Sequence, residues 1–195
     1  METINSSIIG NEAESRIIDL YRVMNCTIWL MDSSSRIYGR LSDDIPLPYS
    51  RTLRVVSEET KNSAELLKIL LDDILHMQYD GSSCRDILED KGLVTATLIL
   101  LDRIIDPEKI SGEEALWMLQ QMLGLEGNIG VDRYVSEIIP SIKVSLRLLN
   151  SSRTVYWEAV LDYIVAKHEN HLSMLAETYR LYMDHLLSSR PHPSL

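Results

Sequence analysis

The segment from Leu66 to Met77 constrains the fold most, because apolar residues cover nearly the whole circumference of a helix drawn through it. A helix that is apolar all round is normally buried at the centre of a protein. A second segment of this kind starts at Gly92 or Leu93, runs through Ile105 and is ended by Pro107. The sequence therefore predicts two central helices that other helices must cover.

Apolar residues recur at helical spacing along most of the remaining chain. Asn11 is a good N-cap for the first of these helices, and Ser111 with Glu114 forms the spacing of a capping box. The predicted helices beside the two central ones span about Glu12–Met31, Arg51–Glu59, Gly112–Leu123, Val131–Ile139, Ile142–Leu149 and Arg153–Leu187, with Ser63 as the cap of the first central one. The predicted class is all-α, with seven to nine helices in a compact bundle.

Residues 32–50 form the least regular part of the chain. Three serines at 33–35, Gly39, Pro46 and Pro48 interrupt any long element. An irregular surface connection is favoured there over a functional loop. At most a small hairpin is expected near residues 26–41, since Cys26–Leu30 favours a strand and Ile37, Tyr38 and Leu41 could pack a short hairpin onto the rest. We expect one all-α domain over residues 1–187 and a flexible tail over 188–195, which contains Pro191 and Pro193.

An aspartate recurs in a similar apolar setting every thirty residues, at Asp72, Asp102, Asp132 and Asp162. A fixed period of about this length is typical of stacked helical repeats. An armadillo- or HEAT-like solenoid is therefore the alternative to a compact bundle. The segments between the aspartates share no second signature, and amphipathic helices produce such matches by geometry alone.

Charge and composition restrict the class of partner. The chain of 195 residues carries a formal net charge of -10, which argues against nucleic-acid or anionic-membrane binding. No apolar stretch is long enough to span a bilayer and no signal peptide is evident, so we expect an intracellular protein, cytoplasmic or nuclear. Cys26 and Cys84 fit a reducing compartment, although one disulfide between them remains open.

The strongest candidates for chemistry are His168 and His171, which share one face of the last predicted helix and could bind one metal ion. A polar face on a long helix is the favoured interpretation, because no ligands at matching spacing accompany them. The glycines at 124, 127 and 130 match no phosphate-binding motif and are interpreted as a linker. We assign no catalytic residue, no metal ligand and no cofactor.

The last predicted helix carries two apolar sides. Tyr156, Val160 and Tyr163 form one side, which is interpreted as core. The second side is a stripe at heptad-like spacing, formed by Trp157, Ile164, His171, Leu175 and Tyr182. Either the helix runs through the middle of the protein, which is favoured, or this stripe binds another chain, since Trp and Tyr dominate interface hot spots.

These features predict a non-enzymatic protein–protein interaction module, an adaptor or complex subunit that presents helix faces or a groove. Its partners would be proteins, including a second copy of the chain, that bind the Trp157 stripe. A small α-helical metal protein or enzyme centred on His168 and His171 is the first alternative. A secreted helical bundle of cytokine type is the second, suggested by the helix count and by the sequons at Asn5, Asn25 and Asn150.

Overall fold

A computed structural model describes residues 3–81, 84, 91–105, 109–127, 138–148 and 152–189, and for 3–14, 16, 91, 93, 126 and 127 it describes the backbone alone. Six helices and no strand occur in these residues: α1 Thr3–Asp44, α2 Tyr49–Leu75, α3 Lys91–Ile105, α4 Gly112–Gly127, α5 Ile139–Leu148 and α6 Thr154–Ser188. The all-α class is confirmed. Two pairs of predicted elements merge, of which one is a pair of helices, and most of the helix predicted at 131–139 lies outside the described residues, so six helices are described where seven to nine were predicted.

The first merger is in α1, which continues through the serines and Gly39 up to Asp44. Ser33, Ser34 and Ser35 are buried, and the Ser57 hydroxyl of α2 donates a hydrogen bond to the Ser35 carbonyl at 2.8 Å. A Cβ added at Gly39 would lie 3.2 Å from that same hydroxyl. Small residues here let α1 and α2 approach closely. The predicted irregular loop at 32–50 is therefore wrong as far as Asp44 and holds only for residues 45–48, no hairpin forms near 26–41, and Asn11 lies inside α1 and does not cap it.

The second merger is in α2, which joins the short predicted helix to the long one. The Ser63 hydroxyl donates to the Glu59 carbonyl at 3.0 Å, so it bonds one turn backwards inside a helix instead of capping a new one. The break between α1 and α2 falls at Pro46 and Pro48, since the residue before a proline disfavours helix.

The remaining helices follow local signals closely. α3 and α6 match their predicted spans, and the backbone N–H of Glu114 donates to the Ser111 hydroxyl at 3.2 Å at the start of α4. Gly124 is helical, because α4 continues to Gly127 where a linker was predicted. The predicted helix at 131–139 lies outside the described residues except for its last two, Ile138 and Ile139, the second of which begins α5, and most of the tail at 188–195 also lies outside them.

The helix with the longest continuous buried stretch is α1, whereas each of the two helices predicted to be central buries one side and exposes the other. Every residue from Met24 to Ile28 is buried, whereas α2 exposes Ile69 and α3 exposes Ile99 and Ile105. α1 contacts α2, α3, α4 and α5, and α6 contacts α2, α4 and α5. Two apolar clusters result: one joins the earlier part of α1 to α2, α5 and the first half of α6, and the other joins its later part to α3, α4 and the second half of α6.

A disulfide between Cys26 and Cys84 ties the connection after α2 to the middle of α1, with Cα atoms 4.8 Å apart. Two further contacts hold this connection: the Asn25 amide donates to Asp80 at 2.8 Å and the Tyr21 hydroxyl donates to the Gln78 carbonyl at 3.2 Å. The structure thus forms the bond that the sequence left open. Asn25 is itself buried, so its sequon has no room for a glycan.

The aspartates that recur every thirty residues do not lie in structural units of equal length. Asp72, Asp102 and Asp162 are exposed, but they lie in helices of 27, 15 and 35 residues, and Asp132 lies outside the described residues. Of the helices described, none is long and apolar enough to cross a membrane.

Candidate functional site

The stripe of α6 that was predicted to meet a partner is buried inside this chain. Its five members are at most 3% exposed: Trp157, Ile164, His171, Leu175 and Tyr182. Trp157 and Ile164 belong to the cluster with α5, whereas Leu175 and Tyr182 belong to the cluster with α4. In this structure the stripe is core. The prediction that it binds another chain now requires a neighbouring helix to be displaced.

The other side of α6, interpreted as core, is so only in part, because Val160 packs partly buried against the cluster with α5. Tyr156 and Tyr163, interpreted as core, are 60% and 52% exposed. The two sides of the helix were similarly apolar, and the position of α2 decides between them. The Trp157 indole N–H donates to the Asp73 carboxylate of α2 at 2.7 Å, which turns Trp157 inward and leaves its neighbour Tyr156 outside.

Two polar contacts fix how α2 and α6 lie against each other. At one end, Asp73 accepts from Trp157 and pairs with Arg153. At the other end, Glu59 contacts Lys167 and His171. The number of residues from Glu59 to Asp73 on α2 equals the number from Trp157 to His171 on α6. The earlier residue of α2, Glu59, contacts the later residue of α6, His171, and the later residue of α2 contacts the earlier one of α6. The two helices are therefore antiparallel and in a known register.

Exposed residues at heptad spacing line the outer side of this contact on both helices. We call them the α2–α6 surface: Val55, Asn62 and Ile69 of α2, with Tyr156, Tyr163 and Asn170 of α6. On α2, Val55 and Ile69 each stand four residues before a residue that contacts α6, namely Glu59 and Asp73. Residues four apart share a helix face. Both rows thus border the same groove.

Tyr163 of α6 likewise lies at the border of this groove. The Lys167 ammonium lies 5.7 Å from the centre of the Tyr163 ring and bonds Glu59 across the groove. Val55, Ile69, Tyr156 and Tyr163 are between 43% and 60% exposed. Four large apolar side chains therefore face solvent along one pair of helices.

Ionisable side chains hold the Glu59 end of the contact together. Lys167 donates to Oε1 of Glu59 at 2.5 Å, and Nε2 of His171 lies 2.8 Å from Oε2. Hydrogen bonds from Lys167 and then from His171 lower the pKa of Glu59 below its ordinary value, against the opposing effect of burial. The hydrogen bond to Glu59 in turn raises the pKa of Lys167.

His168 and His171 are buried between the two apolar clusters, with ring centres 6.2 Å apart. Among the described residues, no group of three or more His, Cys, Asp or Glu side chains is arranged to hold a metal ion. The observed partner of His171 is a carboxylate that also binds a lysine. This arrangement joins two helices by charge. No sequence signal could have paired Glu59 with these residues, which lie 108 and 112 positions away.

No protein-family model, curated protein or solved structure matches the chain.

Because of the Glu59 contact, the free energy of unfolding should depend on pH in the acid range. Because the folded pKa of Glu59 is lowered, its contribution is fully present above the ordinary value of 4.5 and is lost as the pH falls through the folded value. We expect Glu59→Gln to reduce the free energy of unfolding at neutral pH and to flatten its decline below pH 4.5. Urea denaturation at a series of pH values measures both.

Glu58→Gln is the matched control, since Glu58 is the preceding residue and lies on the exposed side of α2. We expect its pH profile to follow that of the wild type. Parallel acid profiles for the wild type and Glu59→Gln would show that the contact with Lys167 and His171 does not stabilise the fold.

Proposed function

We propose that this chain is a non-enzymatic protein–protein interaction module, an adaptor or subunit of a larger complex, that binds its partner through the α2–α6 surface. The observation that supports this most is the exposure of Tyr156 and Tyr163 beside Val55 and Ile69 on two adjoining helices. Large apolar side chains grouped on a surface mark binding sites more often than scattered ones do. Tyrosine is also a residue type that dominates interface energetics.

The contacts beneath this surface hold α2 and α6 in place, so a partner could bind without a conformational change. The Asp73 and Glu59 contacts hold α2 and α6 in register from below, and the buried face of α6 packs in the core. A partner would thus meet a preformed groove and would not need to order it, which lowers the cost of binding.

We also infer that the helices form a compact bundle and not a solenoid. In a solenoid each repeat contacts its neighbours alone. Here α1 contacts α2, α3, α4 and α5, and α6 contacts α2 as well as its neighbour α5. The thirty-residue aspartate spacing then results from helical phasing.

The Cys26–Cys84 disulfide supports a location in an oxidising compartment over the cytoplasm or nucleus expected from the sequence. Disulfides form and persist in such compartments and are rare in the cytosol. This favours the secreted helical bundle among the alternatives, with the interaction role unchanged. Alkylation of the native protein before and after reduction tests this location. Cysteine thiols that react without reduction would show that the disulfide is absent and would support a reducing compartment instead.

The experiment that tests the interaction role compares three forms of the full chain as bait in native extracts. We expect wild type to retain a partner that the Tyr156→Ser, Tyr163→Ser double variant loses. Trp117→Ser is the matched control, because Trp117 is also an exposed aromatic residue but lies on α4. It should retain the partner. Circular dichroism melts should show that all three forms are folded.

An identical set of retained proteins for wild type and the double tyrosine variant would overturn the proposed role of this surface. Equal loss with the Trp117 variant would do the same, because it would show that any exposed aromatic residue has that effect.

A further inference from the structure

We propose that residues 76–81, which we call the strap, are a gate over the Cys26–Cys84 disulfide, so that a thiol reductant breaks this bond when the strap opens locally and the rest of the protein stays folded. The strap follows the end of α2 and leads towards Cys84. Reduction of the bond would release the connection between α2 and α3. The redox state of the chain is then controlled by a short segment away from the α2–α6 surface.

The disulfide is inaccessible while the strap is closed. Cys26 is 1% exposed and Cys84 is 0% exposed, and Sγ of Cys84 lies 3.2 Å from the carbonyl oxygen of Cys26. Reduction begins when a thiolate attacks one of the two sulfur atoms, so its rate depends on access to them. Part of the protein must therefore move before a reductant can reach the bond.

The inner side of the bond is closed by the core. Both cysteines belong to the apolar cluster that the later part of α1 forms with α3, α4 and the second half of α6. Cys26 also lies in the buried stretch of residues 24–28 in the middle of α1. Access from this side requires packed helices to separate, and the free energy of such an opening approaches that of global unfolding.

Two hydrogen bonds hold the strap against α1 beside the disulfide. The amide of Asn25, the neighbour of Cys26 in sequence, donates to Oδ1 of Asp80 at 2.8 Å. The Tyr21 hydroxyl donates to the Gln78 carbonyl at 3.2 Å. Since Tyr21 and Asn25 are four residues apart, they share one face of α1, and the strap runs along this face.

The strap is otherwise weakly packed. Its exposed residues are His76, Gln78, Asp80 and Gly81. Within the strap, Tyr79 is the one side chain that packs against an apolar cluster. Segments with few buried apolar contacts open at a much lower free energy than the whole protein unfolds. Opening of the strap is therefore the easier route to the disulfide.

With the strap open, a dithiol reductant breaks the bond in two exchanges. Its first thiolate attacks Sγ of Cys84, which lies on the connection that moves, and Cys26 leaves as a thiolate that takes a proton from water. Its second thiolate then displaces Cys84 from the mixed disulfide, and the Cys84 thiolate is protonated in turn. The reductant leaves as a cyclic disulfide that has given up two electrons, and the protein gains two thiols.

The experiment follows the reduction of the folded full chain by dithiothreitol without denaturant. Samples are quenched with an alkylating reagent, and mass spectrometry measures the number of alkylated thiols over time. We expect the bond in the folded wild type to be reduced at least about a hundredfold more slowly than in the urea-unfolded chain, because the strap is closed most of the time.

Two variants loosen the strap without changing the cysteines. Asp80→Ala removes the acceptor of the Asn25 amide. Tyr21→Phe removes the hydroxyl that donates to the strap, and it changes no charge at neutral pH. Each should accelerate reduction roughly three- to tenfold, the factor that corresponds to one hydrogen bond. The tyrosine variant separates opening of the strap from electrostatic attraction of the anionic reductant.

Leu175→Ala is the matched control for a loss of global stability. Leu175 is buried on α6 one turn after His171, whose partner Glu59 lies in the first half of α2, whereas the strap follows the end of that helix. The variant should unfold at a lower urea concentration and keep the wild-type rate of reduction. Circular dichroism melts confirm that all three variants are folded at the temperature of the experiment.

Three results would overturn the proposal. The first is a wild-type bond that is reduced as fast in the folded as in the unfolded chain. The second is a rate that either strap variant leaves unchanged, which would show that the contacts of the strap do not control access. The third is an equal acceleration by Leu175→Ala, which would show that reduction requires global unfolding.

Discussion

Replacing Cys26 and Cys84 together by alanine should lower the free energy of unfolding by about 4 kcal/mol, as the chain-entropy model gives for a closed loop of this size. The bond joins residues 58 positions apart, so its loss frees a long segment of the unfolded chain. Urea denaturation of wild type with and without reductant, beside the double variant, measures the change. Reduced wild type and the variant should agree closely.

The control is built into this comparison, because reductant should not affect the double alanine variant. The helical content of the folded variant should stay near that of wild type, since the Asn25–Asp80 and Tyr21–Gln78 contacts still hold the connection to α1. An unchanged urea midpoint for reduced wild type would contradict a stabilising disulfide.

Trp157→Ala should destabilise the fold by about 3–5 kcal/mol, the range for deleting a large buried aromatic side chain. Trp157 is 3% exposed, and its indole N–H bonds Asp73 of α2, so the substitution removes both apolar packing and a contact between helices. Tyr156→Ala, one residue away on the same helix, should change stability by no more than about 0.5 kcal/mol, because Tyr156 is exposed. Denaturation of both variants measures the difference.

The two substitutions should also differ in how they affect binding of a partner. Tyr156→Ala should weaken retention of a partner while leaving the fold intact, and Trp157→Ala should act through stability. Similar losses of stability in both variants would show that the assignment of the two sides of α6 is wrong.

The parts of the fold that could be predicted are those determined by local signals. Pro107 and the Ser111 cap bound α3 and α4, and the long apolar pattern defines α6 without help from other elements. α1 could not be predicted in full, because serines and glycine favour a break in isolation. Only the close approach of α2, seen in the Ser57–Ser35 hydrogen bond, makes those small residues suitable for a helix.

The candidate surface was hidden from sequence for a related reason. Periodicity shows that α6 has two apolar sides, but the side that α2 covers depends on the pairing of Asp73 with Trp157, across 84 positions. Ile69 was equally hidden, since a segment that is apolar all round predicts burial on every side. The disulfide was predictable only in its partners, because two cysteines allow one intramolecular pair, while the sequence favoured a reducing compartment in which that pair would not form.

The Cys26–Cys84 bond has a topological consequence: α2 and the latter part of α1 belong to one covalent ring. A protease that cuts the chain once between these cysteines, for instance at the exposed Leu47 between α1 and α2, opens the ring without releasing a fragment. The nicked chain would migrate as one species without reductant and as two with it. Any cellular processing at that turn would therefore leave α1 attached to the helices that carry the groove.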